Sequence, residues 1–196
     1  MSSRFATTAL VLVLVPSTGC PFPFFTDGDE GSGGPPCEDD VLGCEGNLDE
    51  FQLDPSCTLE GELELVLGQG ETSFEAIAPG MVPNVNYGFQ GGQHIWAALQ
   101  VHNGATDYPQ LKIDITVSTC SAGDCSSPSA WTIDNTRELV ADQDTMTITD
   151  EGWFEQLRML VTVDAYGSGS RGRVEMLVTD PCGRQGYVVA EGTPVG

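Results

Sequence analysis

From Leu59 onward the chain alternates apolar and polar side chains in short runs, and Gly/Pro turns interrupt every run. Leu63, Leu65 and Leu67 alternate with Glu60, Glu62 and Glu64. Ile95, Ala97, Leu99 and Val101 alternate with His94, Trp96, Ala98 and Gln100, and Ile113, Ile115 and Val117 alternate with Lys112, Asp114 and Thr116. A period of two is the signature of a strand with one face buried. Further runs fall at Thr72 to Ala78, Ala130 to Asp134, Thr145 to Thr149, Leu157 to Ala165, Arg173 to Thr179 and Gly186 to Ala190. Between them stand Ala78-Pro79-Gly80, Gly91-Gly92, Asn103-Gly104, Gly167-Ser168-Gly169 and Pro181-Cys182-Gly183. Only Asp150 to Leu160 has any helical character, and Thr162 and Val163 carry it onward as strand. About nine short strands with turn signals predict an all-β antiparallel β-sandwich, Ig-like in form, with a jelly roll as the alternative.

The cysteines set the compartment. Residues 9 to 15 are an unbroken apolar run after a segment carrying Arg4, and Pro16-Ser17-Thr18-Gly19-Cys20 follows. Such a run is too short to span a bilayer, for which about 20 apolar residues are needed, and fits the hydrophobic core of a signal peptide. The small residues before Cys20 resemble a bacterial lipobox, with Ser17 where an aliphatic residue is usual. The resemblance implies cleavage before Cys20 and lipid on its sulfur, with a plain secretory signal as the alternative. Pro21 rather than aspartate follows Cys20, which by the same resemblance directs the protein to the outer membrane. Cys37, Cys44, Cys57, Cys120, Cys125 and Cys182 remain, an even set that reads as a disulfide framework in an exported chain. Cys120 and Cys125 flank four residues and are placed to close a hairpin end. The other four would pair among themselves, with one local bridge and one tying the N-terminal segment to the last strands. Metal ligation by cysteine is disfavoured, because no C-x-x-C pair occurs.

The expected organisation is a signal peptide at 1–19, a lipid-anchored flexible tether at 20–36, a disulfide-pinned lead-in at 37–58 and a β-sandwich at 59–196. The tether is rich in Gly, Ser and acid, and Phe22, Phe24 and Phe25 lie beside the lipid site, suited to a bilayer interface. The chain of 196 residues carries 29 acids against 7 bases, a formal charge of −22. Nucleic acid and anionic head groups are repelled by such a surface. Cations are attracted, and calcium has weak candidates in Asp27, Asp29 and Glu30, and in Asp142, Asp144, Asp150 and Glu151. None of these matches the spacing of an EF-hand loop.

The most distinctive string is Gly88-Phe89-Gln90-Gly91-Gly92-Gln93-His94-Ile95-Trp96. It resembles a Q-G-G-x-H-x-W element of uncharacterised bacterial lipoproteins with a single Ig-like β-sandwich domain, over about residues 68 to 118. The resemblance implies fold and location and brings no activity. His94 and Trp96 share one face of a strand. The bland expectation puts Trp96 in the core with His94 hydrogen-bonded beside it; the functional one makes both a ligand contact. His94 and His102 are the only histidines. On one strand they would stand about 26 Å apart, at about 3.3 Å per residue, which bars a shared metal.

No catalytic signature stands out. Ser168 sits between glycines but lacks the spacing of a nucleophile elbow, and the carboxylates are too many to single out a glycosidase pair. The expected function is therefore a non-enzymatic binding or structural role in the cell envelope. The partner is a protein or a glycan, met without a cofactor, resident metal or catalytic residue. A secreted hydrolase acting on glycans and a calcium-dependent adhesion module are the rivals.

Overall fold

In the structure, a computed structural model, residues 51–88, 92–107, 109–121, 124–163 and 170–194 are described. The leader, Cys20, Cys37, Cys44, the tether, Asp27, Asp29, Glu30 and Ser168 lie outside these residues, as do Phe89, Gln90 and Gly91.

Ten strands follow one another along the described chain. They are β1 (Glu64–Gln69), β2 (Glu75–Ala76), β3 (Val85–Tyr87), β4 (Gln93–His102), β5 (Leu111–Cys120), β6 (Thr132–Ala141), β7 (Met146–Ile148), β8 (Phe154–Val163), β9 (Arg171–Thr179) and β10 (Gln185–Gly192). One sheet runs β2-β1-β4-β8-β7, with β3 also paired to β4; the other runs β10-β9-β5-β6. Every strand pair is antiparallel. β1 and β3 lie end to end along one side of β4, because β1 meets Ala97–His102 and β3 meets Gln93–Ile95. Read that way, the sheets have the strand order of an Ig-like sandwich: first, second, fifth and fourth strands facing a sheet of seventh, sixth, third and its neighbour. The expected Ig-like sandwich is what forms, and the jelly-roll alternative drops out.

Alternation makes the core. Ile95, Ala97, Leu99 and Val101 of β4 and Met159, Val161 and Val163 of β8 face Leu111, Ile113, Ile115 and Val117 of β5 and Val174, Met176 and Val178 of β9. Burying each such side chain contributes about 1.5–3 kcal/mol relative to leaving it in water.

Four elements differ from the sequence expectation. The segment Asp150 to Leu160 forms no helix; β8 runs through it with a bulge. Ala97 opposes Met159 while Leu99 opposes Gln156, so β8 carries one residue more than β4 there. Arg158 in this bulge has φ +58°. The extra residue switches the inward set from even to odd numbers, Phe154 before it and Met159 after it, which hides the period of two. β6 extends from Thr132 to Ala141, well past Asp134, and β3 was not foreseen. The Thr72 to Ala78 run shrinks to Glu75–Ala76, with the Phe74 ring folded over Gly68.

Local bonds fix the ends. Asn103, at φ +52°, follows β4; its side chain donates to the Glu62 carbonyl and accepts from the Glu64 amide, clipping β1 in register. The β9–β10 turn is a charged knot. Asp180 is 1% exposed and Arg184 8% at the side chain, and Arg184 donates through Nε and Nη2 to Oδ2 and through its amide to Oδ1. Cys182 in the same turn is bonded to Cys57, and the Asp54 amide donates to the Pro181 carbonyl. Cys120 and Cys125 are bonded across the end of β5. Among the described residues the upper part of β8 has no strand on its free side; instead Asn135 and Arg137 of β6 donate to the Thr162 and Leu160 carbonyls. Side chains of one sheet thus cover an exposed edge of the other.

Two predictions follow from the knot. Asp180→Ala or Arg184→Ala leaves a buried charge unpaired, and urea unfolding should show a loss of about 3–5 kcal/mol. Cys57 and Cys182 are 125 residues apart, so replacing both with Ala should destabilise by about 5 kcal/mol on the loop-entropy relation, against about 2 kcal/mol for Cys120 and Cys125. Equal losses for the two pairs would contradict the loop-length account.

Candidate functional site

β4 places His94, Trp96, Ala98, Gln100 and His102 on its face away from the core. Trp96 is therefore not a core residue, which corrects the bland expectation. The reason is register: Ile95 and Ala97 on either side of it fill the sandwich, so Trp96 must point the other way. His94 packs edge-on against Trp96, ring centroids 5.4 Å apart. Thr162 of β8 and Asn86 of β3 flank His94 in register, and Leu160 flanks Trp96. At the far end of the same row His102 stacks on Trp153 at 3.8 Å, and its Nε2 is buried with no hydrogen-bond partner. The two histidines are thus on one strand and one face, each held by its own tryptophan. The middle of the row is closed by Phe74 over Gly68, which opposes Ala98, and by the Gln100–Glu155 hydrogen bond.

A hollow of about 380 Å³ lies where the lead-in, the residue 107–110 loop and the β6–β7 turn meet. Asp54, Asp107, Asp142 and Asp144 line it. Two of these carboxylates have structural work. Asp142 accepts from the amides of Asp144 and Thr145 and from the Thr145 hydroxyl, and Asp54 accepts from Ser56. Acids that terminate turns in this way are a local backbone device. Among the described residues no group of three or more His, Cys, Asp or Glu is placed to hold a metal ion.

The outer face of the four-stranded sheet carries a different chemistry, one that periodicity alone did not single out. On β10, Tyr187 is 59% exposed and Val189 44%; Leu177 of β9, directly opposite Tyr187, is 37% exposed. The Tyr187 hydroxyl donates to Glu175, which stands opposite Val189. Beyond them Lys112 reaches Glu138 at 2.5 Å and Asp114 at 3.8 Å, and Arg173 and Arg171 reach Glu191 at 2.6 and 3.9 Å. Trp131 lies 4.2 Å from the Arg173 guanidinium, and its indole N–H donates to the Cys125 carbonyl beside the Cys120–Cys125 bridge. The sequence signal was present in Leu177, Tyr187 and Val189, which fall on the polar positions of their strands. The arrangement sets exposed apolar side chains beside fixed charges.

No family model matches the chain, and none of the curated proteins is similar to it. Among solved structures it is similar to the CooA pilin subunit from enterotoxigenic Escherichia coli, at 13% identity and a TM-score of 0.35, over 66% of this chain and 97% of that one.

The Tyr187 hydroxyl is pushed up to about 12, first by its burial against the sheet, then by the bond it donates to Glu175 and by that carboxylate's charge. The unfolded value is about 10. The protonated hydroxyl therefore contributes stability that is whole below about pH 10 and is lost as pH rises through about 12. Tyrosinate absorbance against pH should show a late-titrating component that disappears in Tyr187→Phe.

Proposed function

We propose that the chain is a lipid-anchored protein of the cell envelope whose Ig-like body acts by binding or as a structural element rather than by catalysis. The observation that carries this reading is the pair of disulfides in the body, Cys57–Cys182 and Cys120–Cys125. Such bonds persist in oxidising compartments outside the cytosol. The apolar run ending at Cys20 supplies the matching export and anchoring signal, and Pro21 favours the outer membrane. Among the described residues no helix is long and apolar enough to cross a membrane, and acyl chains on Cys20 would hold the protein instead. The segment from Cys20 to Pro36 would stand the body off the lipid surface. The binding role is supported by the apolar stripe of Tyr187, Leu177 and Val189 and by the outward His94–Trp96 pair. The partner is a protein or a glycan.

The test is the intact mass of the protein recovered from a membrane fraction. The expected species lacks residues 1–19, carries acyl mass on Cys20 and is six hydrogens short, for three bridges among the remaining cysteines. Cys20→Ala should move the protein out of the membrane fraction. Recovery of the uncut polypeptide from the cytosol with free thiols would sink the reading.

A further inference from the structure

We infer that the outer face of the β9–β10 hairpin docks a protein partner that presents an apolar side chain flanked by lysine or arginine. This deepens the binding role proposed above and names the surface and the chemistry it would meet.

The face is apolar where it is open. Tyr187 and Leu177 oppose one another across the two strands, and Val189 follows two residues along on the same face, so the three form one stripe. At the strand spacing of about 4.8 Å and about 3.3 Å per residue, the stripe suits one large side chain and its immediate neighbours. Adjacent apolar exposure in register differs from the scattered singletons of an ordinary surface.

Charge then selects the partner. The cations on this face are each engaged: Lys112 by Asp114 and Glu138, Arg171 and Arg173 by Glu191. Glu175 has no ion pair among the described residues and only the Tyr187 hydroxyl as a hydrogen-bond donor. Glu175 therefore stands at one corner of the stripe, opposite Val189, as a carboxylate held by a neutral hydroxyl rather than by an ion pair among the described residues, beside an open aromatic ring. A lysine or arginine reaching this point gains both an ion pair and a cation–π contact. Because Tyr187 and Glu175 already hold one another, little side-chain freedom is lost on docking. The formal charge of −22 draws a basic surface in from a distance and repels a second copy of the same chain.

The experiment uses the full mature chain with labelled methyl groups, titrated with two short peptides of opposite charge. The first is acetyl-Lys-Trp-Leu-Lys-amide and the second is acetyl-Glu-Trp-Leu-Glu-amide. The cationic peptide should shift the methyl resonances of Leu177 and Val189 saturably, and the anionic one should not. Glu175→Gln should weaken binding about threefold, as expected for a partly exposed ion pair. Tyr187→Ser should weaken it about tenfold through lost apolar contact. Ile133→Ser, which removes an exposed side chain on β6, should leave it unchanged. Amide spectra of each variant check that the fold is kept; if Tyr187→Ser unfolds, the isosteric Glu175→Gln decides. Absence of saturable shifts on the stripe overturns the inference, as do shifts gathered around Asp54, Asp107, Asp142 and Asp144 that ignore Glu175→Gln. Equal binding of both peptides overturns the charge argument. A dimer in sedimentation that Tyr187→Ser abolishes makes a second copy the occupant and also overturns it. Each of these failures leaves the intact-mass result for Cys20 untouched, so the two readings fall separately.

Discussion

The inward rows of β4 and β8 on one side and of β5 and β9 on the other make the contact on which the rest of the structure depends. These are the central strands of their sheets, and their side chains are essentially removed from water. A slip of one residue in any of them would turn the whole inward set outward. The chain guards against that slip with a few specific contacts. Asn103 locks β1 against the end of β4. Gly104 lets the Phe154 ring lie against the backbone, where a Cβ would collide with it. The β8 bulge absorbs one residue and brings Met159, Val161 and Val163 back to the core.

The ends and edges are held by other means. The Asp180–Arg184 pair gives the β9–β10 turn an internal charge balance, and the Cys57–Cys182 bond anchors the segment before β1 to that same turn. A buried pair of this kind adds little over an apolar alternative but is costly to break singly. It closes the turn of the hairpin whose outer face carries Tyr187, Leu177 and Val189. On the opposite side, Asn135 and Arg137 reach from β6 to the carbonyls of β8 and cover backbone that no strand among the described residues pairs. The polar side chains at these positions are thus part of the closure of the sandwich.

The chemistry of the surface follows from this frame. Each outward row is sorted by what its neighbours leave over. Along β4, tryptophans engage both histidines, and Phe74 with the Gln100–Glu155 bond closes the middle. In the hollow beside the β6–β7 turn, Asp142 and Asp54 are occupied by amides and hydroxyls close to them in sequence. On the four-stranded sheet the ion pairs neutralise the periphery and leave an apolar stripe around Glu175. On a strongly acidic chain this stripe sets apolar contact beside a carboxylate.

Much of the fold was legible in the residues alone. The alternation of Ile95 to Val101 and of Ile113 to Val117 defined two strands to within three residues, and Asn103-Gly104 and Pro181-Cys182-Gly183 marked turns that form. The Cys120–Cys125 bridge was foreseeable, because only four residues separate the two sulfurs in the chain and a turn there brings them together. The length of β6, the short β3 and the bulge in β8 were not, since each is set by a partner strand far away in sequence. The same limit applied to the site. Period two says that His94 and Trp96 share a face and that Tyr187 and Val189 share another, but not which face a second sheet will cover. The sequence by itself determined the main central strands, several turns, the short Cys120–Cys125 bridge and the sign of the charge, because these depend on composition and on neighbours along the chain. Only the tertiary structure decided that Trp96 points outward, that Tyr187 meets Leu177 and that the Tyr187 hydroxyl finds Glu175, because burial and pairing are properties of strands and sheets in contact.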